Sequence, residues 1–199
     1  MEIISICPPC DLIYAMKQVD KHSEDWNKSS EDLKQRVATA AAKAVKLYQS
    51  KSDIDFEINN LPFNEEEAKL ITGFVMHQKL SDLILTIENP KETNQEIYDK
   101  INNMNYQDYT KKYLTASENG TCDDLSYETS LNSISDYLEK ADNYKIYHSL
   151  NDYLTNKNHI KNLKKMTGTK TVLLDNGAHL GFLYRKEFID HLKNTIAVK

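Results

Sequence analysis

The side chains best placed for chemistry are an aspartate and a histidine. His179 lies in "LLDNGAHLGFLYRKEF", shortly after the apolar run Val172 to Leu174, with Gly177 two positions before it and Gly181 two after. Glycines at those places permit a tight loop and the close approach of a substrate or neighbouring side chain. Asp152 lies in "HSLNDYLT", just past a second apolar stretch. A carboxylate beside an imidazole accepts a hydrogen bond from one ring nitrogen, which fixes the tautomer and stabilises the imidazolium formed during catalysis. The other nitrogen is left free to act as a general base. Asn151 and Asp175 compete for the carboxylate position, and an Asn-Asp dipeptide also suits a plain turn.

Other reactive types are less well placed. Cys7 and Cys10 form "CPPC", a spacing used for redox chemistry or for half a metal site. A redox site of that kind needs a helix N-terminus, which Pro8 and Pro9 delay, and Cys122 is remote. Cys7 and Ser5 lack a glycine-lined elbow, so neither is nominated as a nucleophile. His148 reads as a strand residue, His159 and His191 lie on helices, and His22 and His77 fit no metal-binding pattern with one another. The twelve tyrosines read as packing residues, and "NGT" at 119–121 is a glycosylation sequon without a secretory context.

The elements that must position the pair follow from periodicity. "IISIC" (3–7) is a short buried strand, stopped by "PPCD". Helices are expected over 11–19, 29–51, 64–87, 93–103, 105–117 and 127–141, with a polar loop at 117–126. Ser29 or Ser30 caps the second, and Asn64 with three following glutamates starts the third. The pattern then alternates: a strand at 144–150, a helix at 155–168 ending at Gly168, a strand at 170–175 and a helix at 184–196. Such alternation favours a parallel sheet with right-handed crossovers. Ligands of open α/β sheets bind outside the carboxyl ends of the strands, where Asp152 and His179 both fall.

The run "YKIYHSLNDYLTNKNHIKNLKKMTGTKTVLLDNGAHLGFLYRKEF" resembles the terminal block of the α/β-hydrolase fold. There the order is nucleophile, acid, histidine, with the acid after one late strand and the histidine after the last. "SICPPCDL" resembles the strand and loop from which such chains leave for the cap. The resemblance is strongest over 127–196. It implies an α/β fold with a partial parallel sheet of about three strands. One domain would span 1–199, with a helical cap-like insertion at 12–141 and a β-α-β-α block at 142–199. It also implies hydrolysis of an ester, thioester or similar acyl bond, with His179 as base and Asp152 orienting it. No cofactor is implied. The Gly-x-Ser-x-Gly elbow is absent: none of the glycines at 73, 120, 168, 177 and 181 starts one. The nucleophile and oxyanion donors must then come from another polypeptide or an unusual residue.

The composition agrees with a folded chain. The 199 residues suit one domain or two small ones, with 28% charged and 40% hydrophobic residues. A net charge of -5 without basic clusters argues against nucleic acid, and no apolar run approaches the roughly 18 residues of a membrane span. Three cysteines and no basic n-region point to a reducing, cytoplasmic setting. The expected partners are a small acyl or ester substrate and, at an exposed sheet edge, an N-terminal half or a second copy. A non-enzymatic helical interaction module is the competing reading.

Overall fold

The computed structural model describes residues 3–49, 64–89, 91, 95–115, 122–180, 183 and 186–197. Three strands form a parallel sheet in the order β1-β2-β3: Ile3–Ile6, Tyr144–Ser149 and Thr171–Leu174. Ile6 pairs with Tyr147, and Ser149 with Leu174, so the carboxyl ends of all three strands reach one rim. The central strand is buried on both faces although Lys145, His148 and Ser149 interrupt its apolar sequence. Tyr147 packs with Cys7, Leu174 and Phe188 on one face. Tyr144 and Ile146 pack with Cys10, Leu138 and Leu163 on the other.

Between β1 and β2 the chain is helical. Helix α1 (Leu12–Lys28) starts at Asp11, whose carboxylate caps the Tyr14 N–H at 2.9 Å. The sequence places its end near Val19, but the helix continues to Lys28. Its buried face changes there from apolar residues to Asp20, His22 and Ser23, so apolar periodicity loses it. Helix α2 is Glu31–Gln49, and helix α3 (Glu65–Glu88) opens with a full capping box between Asn64 and Glu67. Helices α1 and α3 touch at Gly73. A Cβ there would lie 2.3 Å from the backbone carbonyl carbon of His22, so only glycine fits.

Helix α4 (Gln95–Asn102) and the short α5 (Tyr106–Tyr109) follow, the latter running into a π-helical turn, Thr110–Thr115. Asp20 caps α5 from a distance, accepting from the N–H groups of Tyr106 and Gln107 at 2.8 and 3.1 Å. Residues 122–126, expected in a loop, belong with the next two to helix α6 (Cys122–Glu128), and the helix expected over 127–141 is broken after Glu128 and resumes, past a 3-10 turn, at Ser135. Ser126 in it donates to Asp11 at 2.8 Å, a tertiary contact that no local pattern announces. Helix α7 (Ser135–Lys140) leads into β2, α8 (Lys157–Thr167) crosses to β3, and α9 (Lys186–Ala197) closes the described chain. Gly168 ends α8 with a φ of 56°, the conformation that favours glycine. No described helix is long and apolar enough to cross a membrane. The sequon at 119–121 lies outside the described residues, as does Gly181.

Candidate active site at the sheet rim

Asp152 and His179 meet. The imidazole Nδ1 lies 3.0 Å from Asp152 Oδ2, so a proton on Nδ1 is shared with the carboxylate. The Asp152 side chain is 1% exposed and the His179 side chain 24%, so the acid is sealed and the base reaches solvent. Asp152 sits in the turn after β2, where its other oxygen accepts the Leu154 N–H at 2.9 Å. That local bond is the usual reason for an aspartate in a turn. Here it also aims the second oxygen at His179.

The histidine loop is held by the competing residue of the sequence reading, Asn151. Its Oδ1 accepts from the N–H groups of Gly177 and Ala178 at 3.0 and 2.9 Å, and from Ser149 Oγ at 2.6 Å. Its amide nitrogen reaches Glu65 on α3 at 3.4 Å. Asp175, the other competitor, is exposed. The left-handed turns around His179 fall on Ala178 and Leu180, with φ of 46° and 66°, and not on Gly177. A non-glycine residue held so costs on the order of 1–3 kcal/mol and persists only where the surroundings impose it.

The third member is Cys7, which the sequence reading set aside for want of an elbow. Cys7 has a φ of 44°, immediately after β1 and ahead of α1, so the strand ends in a strained turn without any glycine. Its N–H donates to the Tyr147 carbonyl at 2.8 Å, which fixes it to the rim. Ligand atoms of Cys7, Asp152 and His179 all lie within 4.8 Å of one another. The usable signals were the chain order cysteine, aspartate, histidine and the Pro-Pro stop after a strand. Cys10 lies on the opposite face, in the other core cluster, so the CPPC pair is divided between the two sides of the sheet.

Burial pushes the Cys7 thiol up to about 12, with the charge of Asp152 adding to the rise and the Leu180 and Ser149 peptide groups opposing it. The resting group is therefore a thiol, and a nearby base must take its proton before it can attack. The helical region closes over the rim through Tyr153. Its hydroxyl bonds Thr72 of α3 at 2.7 Å, its ring meets His22 of α1 edge-on at 5.6 Å, and it lies 6.2 Å from the His179 ring. On the inner side, His148 is fully buried, with Nδ1 3.9 Å from Asp152 Oδ2 and no hydrogen-bond partner for Nε2 among the described residues.

No protein-family model, curated protein or solved structure matches the chain. A small parallel sheet with helices is common to many folds, so the rim geometry carries the functional reading alone.

Proposed function

We propose that the chain is an acyl-bond hydrolase of α/β-hydrolase-like design, with His179 as base, Asp152 orienting it and Cys7 as nucleophile. The supporting observation is the convergence of a thiol, an imidazole and a buried carboxylate at the carboxyl ends of three adjacent parallel strands. Cys7 takes the place of the serine that the family resemblance demands, and the order nucleophile, acid, histidine is kept.

In this reading His179 Nε2 removes the thiol proton while Nδ1–H stays on Asp152. The sulfur attacks the acyl carbon and the carbonyl π pair moves to oxygen. Collapse of the tetrahedral intermediate expels the alcohol or thiol, which takes its proton from His179. Water, deprotonated by the same imidazole, then attacks the thioester. Breakage of the C–S bond returns the proton to sulfur. Pro8 has no N–H, so the residue after the nucleophile cannot donate to the oxyanion. The Leu180 peptide group, which opposes the rise of the Cys7 thiol, is the candidate donor. The helices between β1 and β2 act as the cap, with Tyr153 at their junction with the site. β1 has a strand on one side only among the described residues, and that edge would receive the further strands of a complete hydrolase sheet or a second copy.

Turnover of p-nitrophenyl acetate and of a short acyl thioester tests this. Hydrolysis that Cys7→Ser and His179→Ala each reduce by roughly 10²-fold or more supports the proposal. Hydrolysis unchanged in both variants, or none by the native chain, overturns it.

A further inference from the structure

We infer that Cys7, Asp152 and His179 form a binding site for a borderline-soft divalent cation, Zn2+ in chemical class, with an open fourth position on the solvent side of His179. The three donors are a sulfur, a carboxylate oxygen and an imidazole nitrogen, the set that zinc takes. Three protein ligands and one open position are the arrangement of catalytic rather than structural zinc. The ligand atoms are within 4.8 Å of one another, and a tetrahedral ion needs them about 3.4–3.8 Å apart at ordinary zinc bond lengths. His179 Nδ1 and Asp152 Oδ2, 3.0 Å apart, would give up the proton they share and part slightly to take the ion between them.

Charge supports the same conclusion. The ion pairs of Asp152 among the described residues are to histidines alone, His179 at 3.0 Å and His148 at 3.9 Å, with no lysine or arginine beside it. A carboxylate sealed to 1% exposure next to a buried thiol is an anionic pocket without a permanent cation. Buried charges in proteins are paired or coordinate metals. A divalent ion would displace the thiol proton and balance both groups, leaving a neutral Cys-Asp-His-metal unit. Part of the scaffold is already fixed: Asp152 is oriented by Leu154, and the His179 loop by Asn151.

Metal binding and thiol catalysis are alternative uses of the same side chains. A cation on the imidazole and sulfur removes both base and nucleophile, so the loaded form is inactive in thiol-dependent acyl transfer. Only this consequence rests on the proposed hydrolase function; the binding itself does not.

The test is a titration of chelator-treated full-length chain with Co2+ alone, read by absorption. One equivalent should produce a near-ultraviolet thiolate-to-cobalt band with visible tetrahedral bands, and Zn2+ should bleach both. Cys7→Ser should abolish the near-ultraviolet band and His179→Ala should weaken binding by at least tenfold, whereas Cys10→Ala should retain the full spectrum. Circular dichroism of each variant identifies those that fold, and Cys7→Ser, which changes one atom, keeps the test valid if His179→Ala does not fold. Absence of the band in the native chain, or a band that Cys7→Ser leaves intact, overturns the site. Acyl labelling of Cys7 separates the two proposals. A band without labelling removes the hydrolase reading and leaves the metal site, and labelling without a band does the reverse.

Discussion

The sheet rim and the α1–α3 helix pair are stabilised in opposite ways. At Gly73 the helices are fitted so closely that a methyl group has no space. Nearby, the rings of Trp26 of α1 and Phe74 of α3 meet at a tilt of 38° with centroids 5.0 Å apart, an ordinary packing contact. The rim instead holds a buried carboxylate, a buried thiol and three left-handed non-glycine residues, Cys7, Ala178 and Leu180. Packing of the first kind favours stability. Strain and buried polarity of the second kind persist where the surroundings impose them, and they concentrate at functional sites. Substitutions in the two regions should therefore separate stability from activity.

The largest effects belong to the rim. Cys7→Ser and His179→Ala should each lower acyl-ester turnover by about 10²–10⁴-fold with little change in melting temperature, measured by steady-state kinetics and calorimetry. Gly73→Val should do the reverse. Its side chain meets backbone, so the helices must part, at a cost of about 3 kcal/mol or more in urea unfolding. The surviving folded fraction should keep its turnover per active molecule.

Asn151→Ala crosses the two categories. It leaves the Gly177 and Ala178 N–H groups without their acceptor. The expected stability loss is about 1–3 kcal/mol. Turnover should fall by roughly 10²-fold, since His179 loses its support.

Acid should weaken the packing around His22 and His159. Burial holds His22 below its ordinary value of 6.5, with the Lys69 charge assisting and Asp25 opposing, and burial likewise lowers His159. The unfolded chain takes up these protons first, so their contribution is complete above about pH 6.5 and is lost as pH falls from there toward the folded values. Urea midpoints at pH 7.5 and 5.5 should differ, and His22→Leu should shrink the difference. The smallest effect is expected of Leu180→Gly. It relieves a φ of 66°, adding up to about 1 kcal/mol of stability, while the freer loop lowers turnover a few-fold.

Much of the rim was legible in the sequence because strand-helix alternation is a strong pattern. Asp152 and His179 follow successive strands, and their meeting could be inferred from order alone. The strained turn at Cys7 has no glycine to announce it, because tertiary contacts hold a cysteine at φ 44°. The role of Asn151 was hidden because a bond between residues 151 and 178 has no local signature. The second half of α1 and most of α6 escaped for a related reason: Asp20 and Ser126 make long-range hydrogen bonds that polar residues do not advertise.

The central claim is that Cys7 is a nucleophile activated by the His179–Asp152 pair. Intact-mass spectrometry after brief exposure to an activated acyl ester tests it most directly. The account expects a single acyl adduct, mapped to Cys7, that forms at least 10²-fold more slowly in His179→Ala and decays in water as the enzyme turns over. Acylation at Cys7 that is equally fast in His179→Ala, or an adduct confined to other residues, would contradict it.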